Sequence, residues 1–104
     1  MQLRVSSPGH DLKQADIEGI ERDLQKIDRR LSKYREVALN VRISGDHGNP
    51  NLQAVLELDY GRNHLRAKAE GPDAGRAVRE AREDMLRQIN DRSRKGHSWF
   101  AKRR

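Results

Sequence analysis

Basic residues recur at helical spacing in both halves of the chain. In the first half they follow one another at intervals of four, three and four residues, at Arg22, Lys26, Arg29 and Lys33. In the second half they are Arg76, Arg79, Arg87 and Arg94. At about 100° per residue, each group falls on one stripe of an α-helix. Because arginine suits bidentate contact with phosphate, the two stripes predict a surface that binds nucleic acid.

The overall charge agrees with this interpretation. The chain has 104 residues, with 22 Lys and Arg against 16 Asp and Glu, and a formal net charge of +6. Such a basic balance is typical of nucleic-acid-binding domains. Ordinary solvation of helix exteriors is the alternative explanation, since each helix taken alone is nearly balanced in charge. The concentration of cations on the outward stripes favours RNA binding.

Residues that could hold a metal or carry out catalysis are scattered. The chain has no cysteine, and its histidines lie far apart, at His10, His47, His64 and His97. The glycine-rich patterns of nucleotide sites and the nucleophile elbow of hydrolases are absent. Most carboxylates stand beside Arg or Lys, which ion pairs explain better than acid–base catalysis does. We therefore expect no enzyme activity, no metal, no cofactor and no small-molecule substrate.

The two basic stripes need helices to position them, and the apolar spacing predicts both. The first helix spans roughly Asp11 to Tyr34. Its buried stripe consists of Ile17, Ile20, Leu24, Ile27 and Leu31. The second follows Gly71-Pro72-Asp73, with Asp73 as its N-cap or as an acid in its first turn, and ends between Ser93 and Gly96. Its buried stripe consists of Ala74, Ala77, Val78, Ala81, Met85 and Ile89. In each helix the basic stripe points away from the buried one.

Four strands are predicted by apolar residues at every second position. Their inward positions are Leu3 and Val5; Val37, Leu39, Val41 and Ile43; Leu52, Ala54, Leu56, Leu58 and Tyr60; and Leu65, Ala67 and Ala69. The resulting order, β-α-β-β-β-α, predicts an α+β fold. We expect a four-stranded sheet with two helices packed on one face, similar to a double-stranded-RNA-binding domain.

The chain is short enough to form a single domain, which we place at residues 1–95. A basic, aromatic tail at residues 96–104 contains Trp99 and Phe100, and we expect it to be flexible. No apolar run approaches the ~18 residues of a membrane span, and no export signal is visible at the N-terminus. The expected location is the cytoplasm.

Three segments resemble the sigma-54 modulation family of ribosome hibernation factors. They are the opening Met1-Gln2-Leu3-Arg4-Val5, the stretch Ala67-Lys68-Ala69-Glu70-Gly71-Pro72-Asp73 and the triplet Arg87-Gln88-Ile89. The resemblance covers about residues 1–95, and we expect the short form of the family, which lacks the C-terminal dimerisation domain of the long form. It implies the β-α-β-β-β-α fold that the apolar pattern predicts independently.

The resemblance also implies a function. Members of this bacterial family bind the small ribosomal subunit and its rRNA in stationary phase or under stress. They occupy the channel for mRNA and the tRNA anticodon ends, and so inhibit translation. Of the candidate RNA-binding residues, Lys26 and Arg87 match the family by position. The other six come from the stripe geometry. Off the ribosome we expect a monomer.

The chain departs from the family at several positions. Asp23 and Asp84 stand where the family commonly has lysine, and Ala74-Gly75 replaces a larger residue followed by tyrosine. Two alternatives therefore stay open. One is a protein-interaction module of the same fold that has lost ribosome binding. The other is a general double-stranded-RNA-binding module, which shares the order α-β-β-β-α but usually opens its final helix with lysines.

Overall fold

The computed structural model describes residues 1–8, 12–45 and 50–102, and describes side chains as far as residue 93. Its elements are β1 (Gln2–Ser6), α1 (Gln14–Arg30), β2 (Val37–Ser44), β3 (Leu52–Tyr60), β4 (Asn63–Gly71) and α2 (Ala74–Lys102). This order confirms the β-α-β-β-β-α prediction and the α+β class.

The four strands form one mixed sheet in the order β1-β2-β3-β4. β1 runs parallel to β2, and the other two pairs are antiparallel. The register aligns Val5, Val41, Leu56 and Ala67 in one row across all four strands. Because side chains alternate between the faces of a sheet, this row and its equivalents give the sheet one apolar face.

Both helices cover that apolar face, and the core lies between them and the sheet. From α1 it includes Ile20, Leu24 and Ile27, and from α2 it includes Ala77, Val78, Ala81, Met85 and Ile89. Every predicted inward position from Val37 to Ile43 is buried. At the edges of the core, five predicted inward positions are only partly buried: Leu3, Val5, Ile17, Leu52 and Ala69. The apolar pattern therefore predicted which face of each element packs inward.

The turn from β4 into α2 is tight. A Cβ atom on Gly71 would lie 2.7 Å from the backbone nitrogen of Ala77, so only glycine fits there. Asp73 then caps the helix, because its Oδ1 accepts a hydrogen bond from the Arg76 backbone N–H at 2.9 Å. The predicted capping role of Asp73 is confirmed.

Helix ends differ from the sequence prediction. α1 begins at Gln14, where the Lys13 backbone N–H donates to Asp16, and it ends at Arg30, four residues before Tyr34. α2 continues to Lys102, past the predicted end between Ser93 and Gly96. A single glycine in a helix costs only about 1 kcal/mol, and no proline follows Gly96 to stop the helix.

Candidate nucleic-acid interface

The cations predicted on the first helix point away from the core. Arg22, Lys26 and Arg29 are exposed, and they lie on the side of α1 opposite the buried Ile20 and Leu24. Lys33 is exposed too, but it lies in the turn after the helix because α1 ends at Arg30. The helical stripe is therefore one residue shorter than predicted.

The second helix presents its cations in the same direction. Arg76 is exposed in the first turn of α2, and the side chains of Arg79 and Arg87 are 62% and 73% exposed. Arg94 belongs to the helix, but its side chain lies outside the described residues. Three of the four predicted positions on α2 thus face solvent.

The two basic faces lie side by side because the helices are in contact and run parallel. Arg79 Nε, near the start of α2, donates to Asp23 Oδ2, midway along α1, at 3.2 Å. Further along both, Arg30 Nε donates to Asn90 Oδ1 at 3.2 Å. The contacts follow the same order along the two helices, which defines the parallel arrangement. We call this combined surface the helical face, formed by Arg22, Lys26, Arg29, Arg76, Arg79 and Arg87.

Asp23 lies between the helices and does not stand on the helical face. The Arg82 side chain, only 11% exposed, donates from Nη1 to the Asp23 backbone oxygen at 3.1 Å. The same nitrogen lies 3.6 Å from Asp23 Oδ1. The guanidinium groups of Arg79 and Arg82 therefore both contact the Asp23 carboxylate. Sequence reasoning missed Arg82 as a structural residue. The signal was that Asp23 stands three residues after Ile20 and four before Ile27, which places it beside the buried stripe of α1.

Glu83 brings negative charge onto the helical face. Its carboxylate accepts hydrogen bonds from Arg82 Nη2 at 2.7 Å and from Arg82 Nε at 3.2 Å. These hydrogen bonds lower the pKa of Glu83, and the charges of Arg82, Lys26 and Arg87 lower it further. Lys26 from α1 and Arg87 from α2 are therefore close enough to act on one carboxylate. Cations of both helices therefore contribute to the lowered pKa of Glu83.

Asp84, the second acidic departure, lies on the flank of α2 and is partly buried. Its Oδ2 accepts a hydrogen bond from Gln88 Nε2 at 3.1 Å, and its Oδ1 is 3.9 Å from Arg87 Nη1. Gln88 also donates to the backbone oxygen of Arg66 at the edge of β4. Asp84 thus belongs to a contact between α2 and the sheet edge.

The open face of the sheet, opposite the helices, also carries cations. Arg4, Arg42, Arg66 and Lys68 are all exposed there. Arg66 lies 3.9 Å from Glu57, and the remaining three enter no ion pair found within the described residues. Positive charge is therefore present on two opposite surfaces, and net charge alone does not select the helical face.

Features of other site classes are not found in the described part of the chain. Among the described side chains, no three His, Asp or Glu residues form a group that could hold a metal. His64 contacts Asp59 at 2.6 Å on the open face of the sheet, whereas His10, His47 and the His97 side chain lie outside the description. No helix in the described residues is both long and apolar enough to cross a membrane.

Solved structures of other proteins share this fold. The crystal structure of the Thermus thermophilus Protein Y N-terminal domain matches with a TM-score of 0.74 and 19% identity. The matched region covers 86% of this chain and 96% of the Thermus chain. A ribosomal subunit interface protein from Coxiella burnetii matches with a TM-score of 0.77 and 15% identity. The matched region covers 89% of this chain and 98% of the Coxiella chain. The comparison confirms the fold that the sequence resemblance implies. No family model and no curated protein sequence matches the chain.

Proposed function

We propose that this protein binds the small ribosomal subunit through contacts between its helical face and rRNA. The observation that carries the proposal is the pair of parallel helices with six exposed cations directed to one side. The likeness to a ribosomal subunit interface protein supports a ribosomal partner. The sequence resemblance supports the small subunit as the site of binding.

Binding alone, without catalysis, accounts for the proposed inhibition of translation. The guanidinium and ammonium groups contact phosphate oxygens, and the release of counterions from the RNA contributes to the affinity. The body of the domain then fills the mRNA and tRNA channel and inhibits translation during stress or stationary phase. Neither a cofactor nor a small-molecule substrate is needed for this action. The protein acts in the cytoplasm, and off the ribosome it is a monomer.

The surroundings of the two acidic departures favour RNA binding over the protein-interaction alternative. Asp23 is bound by Arg79 and Arg82 between the helices, and Asp84 is bound by Gln88 and Arg87 on the flank of α2. Neither carboxylate therefore projects alone toward an approaching phosphate. An acid in either place is compatible with a basic helical face.

The general double-stranded-RNA alternative fits α2 less well. The helix opens with Asp73 as its cap and with Ala74 buried, where a lysine cluster is usual for that module. Arg76 is the first cation of α2, so positive charge begins in the helix and not in the preceding turn. We therefore retain this alternative only as an outcome of the test.

Sedimentation through a sucrose gradient tests the proposal. The tagged protein is mixed with purified small subunits, with whole ribosomes, or with an RNA duplex of mixed sequence, at low salt. We expect co-migration with small subunits and whole ribosomes, together with inhibition of cell-free translation. Absence from ribosomes would contradict the proposal. Equal affinity for the duplex and the subunit would support the general double-stranded-RNA module instead.

Displacement experiments address the channel. Labelled mRNA and tRNA are bound to small subunits, and the protein is added in increasing amounts. Release of the labelled RNAs over the same concentration range as binding is the expected result. If the protein binds fully while mRNA and tRNA stay bound, the channel-blocking step is wrong even though ribosome binding is correct.

A further inference from the structure

Tyr34 is an exposed aromatic residue held in a fixed position. The residue is 43% exposed, and among the described large hydrophobic residues only Met1 shares this exposure. The ring packs at 77° against Tyr60, with the centroids 5.0 Å apart. It also lies over Gly61, which has a φ of 57°, and a Cβ atom there would approach the ring to 3.1 Å. The ring is therefore positioned by its neighbours while part of it faces solvent.

A small cavity of about 160 Å³ adjoins this ring where α1 ends beside α2 and the β3–β4 hairpin. Arg30 from α1 and Arg92 from α2 both line it, together with Tyr34 and Tyr60. Arg92 Nη1 donates to Asn63 Oδ1 at 2.7 Å, and Arg30 donates to Asn90 through Nε. Because each guanidinium has five N–H donors, most donors of both groups remain for a ligand.

The phenol of Tyr60 adds a polar group to the same cavity. Burial raises its pKa, the neighbouring Tyr34 raises it further, and the charges of Arg92 and Arg30 act in the opposite direction. The phenol therefore keeps its proton at neutral pH and stands close to both guanidinium groups. The cavity combines an exposed aromatic ring, two cations and a hydroxyl donor.

We propose that this cavity binds one unpaired RNA base together with its phosphate. The base stacks on the Tyr34 ring, and Arg30 and Arg92 contact the phosphate. Unpaired bases are commonly stacked on aromatic side chains and arginine planes, whereas a carboxylate ligand would gain nothing from the exposed ring. The cavity lies at the end of the helical layer near Arg29, so an RNA bound to the helical face can reach it.

This inference rests on the proposed ribosome binding, and two substitutions at one position test it. Tyr34→Phe keeps the stacking surface, and Tyr34→Leu removes it. We expect the Phe variant to bind purified small subunits with wild-type affinity. The Leu variant should bind roughly 5- to 100-fold more weakly, which is the effect of losing the stacking of one base. Circular dichroism melts establish whether the Leu variant is folded at the binding temperature.

Chemical probing of the RNA separates stacking from a purely structural effect. Modification of the small-subunit rRNA by dimethyl sulfate, which reports on A and C, and by a carbodiimide, which reports on U and G, is compared with and without each protein, at protein concentrations that saturate the subunits. An unpaired base should be protected by the wild type and by Tyr34→Phe, and should stay reactive with Tyr34→Leu. Identical protection patterns for all three proteins would overturn the inference, because the base would then not contact the ring.

Two arginine variants complete the test. Arg92→Gln should weaken binding and expose the same base, while Arg35→Gln, an exposed cation outside this cavity, serves as the matched control. Equal effects of the two substitutions would contradict a phosphate contact in the cavity. If charge reversal on the helical face abolishes ribosome binding but Tyr34→Leu leaves it intact, only this inference fails. If the wild type does not bind ribosomes, both proposals fail.

Discussion

Arg82 in α2 donates a hydrogen bond to the backbone oxygen of Asp23 in α1, with a length of 3.1 Å. The same side chain contacts the Asp23 carboxylate and the carboxylate of Glu83. One guanidinium thus joins the two helices and holds two acids that would otherwise oppose phosphate. The basic helical face depends on this arginine, even though its side chain is largely covered.

Replacing Arg82 should therefore cost more stability than replacing a neighbouring exposed arginine. Arg82→Met keeps the hydrocarbon stem and loses the hydrogen bonds to Asp23 and Glu83. We expect a loss of about 1–2 kcal/mol in the free energy of unfolding. Arg79→Met, which removes a 62% exposed side chain, should cost less than about 1 kcal/mol. Urea denaturation measures both, and equal losses would show that Arg82 adds no more than a surface ion pair.

The sequence predicted the fold well because burial follows simple periods. Alternation placed Val41 and Ile43 inside, and the three-four spacing placed Leu24 and Ile27 inside. The end of α1 was not predictable in this way, since neither glycine nor proline follows Arg30 in the next few residues.

The contacts between the helices could not be predicted from local spacing. Arg79 and Asp23 are 56 positions apart, and only the packing of α1 beside α2 brings them together. The apolar spacing likewise predicts a helix as far as Tyr34, whereas the Tyr34 ring packs on the hairpin at Tyr60 and Gly61. Patterns within one element therefore found the basic stripes but not the partners that modify them.

A charge placed in the core tests the assignment of the buried face. Val41 is 1% exposed at the centre of the apolar row, so Val41→Asp buries a carboxylate without a partner. We expect a loss of several kcal/mol, enough to unfold a small domain of ordinary stability. Arg42→Asp, on the next residue and the open face, should still melt cooperatively. A melt of Val41→Asp close to that of the wild type would show that this face is not buried.

Neutralising Glu83 should strengthen RNA binding. Glu83→Gln removes the carboxylate on which Lys26 and Arg87 act. We expect about fivefold tighter binding to small subunits, equivalent to roughly 1 kcal/mol, which is the Coulomb energy of two unit charges about 4 Å apart in water. Glu57→Gln makes the same change in net charge on the open face of the sheet and should have a much smaller effect.

The pH dependence of this gain follows from the lowered pKa of Glu83. Since the pKa lies below the ordinary value of 4.5, the carboxylate is charged throughout the range from about pH 5.5 to 8. Its small contribution to folding is present above the ordinary pKa and is lost as the pH falls through the lowered one. The ratio of the affinity of Glu83→Gln to that of the wild type should therefore stay constant over that range. A ratio that changes several-fold there would assign the effect to another group.

Salt should weaken ribosome binding steeply. The helical face offers six exposed cations, and each phosphate contact releases counterions from the RNA. With about six contacts, the affinity should fall roughly 1,000-fold between about 50 and 200 mM salt. Co-sedimentation at a series of salt concentrations gives the slope. A flat response would indicate a contact that does not depend on phosphate, and would favour the protein-interaction alternative.

Charge reversal on α1 tests which surface contacts the RNA. Arg22, Lys26 and Arg29 are exposed, so changing all three to Glu should cost less than about 0.5 kcal/mol of stability per residue. Ribosome binding and translation inhibition should be lost together, because the new carboxylates repel phosphate. Sedimentation with small subunits and cell-free translation measure the two losses.

The matched control reverses three cations on the open face of the sheet. Changing Arg4, Arg42 and Lys68 to Glu also lowers the net charge of the chain from +6 to zero. A long-range attraction governed by net charge would weaken equally in the two triple variants. A docked helical face would weaken far more in the α1 variant. If circular dichroism shows both variants folded and both lose affinity equally, the helical face is not the RNA-binding surface.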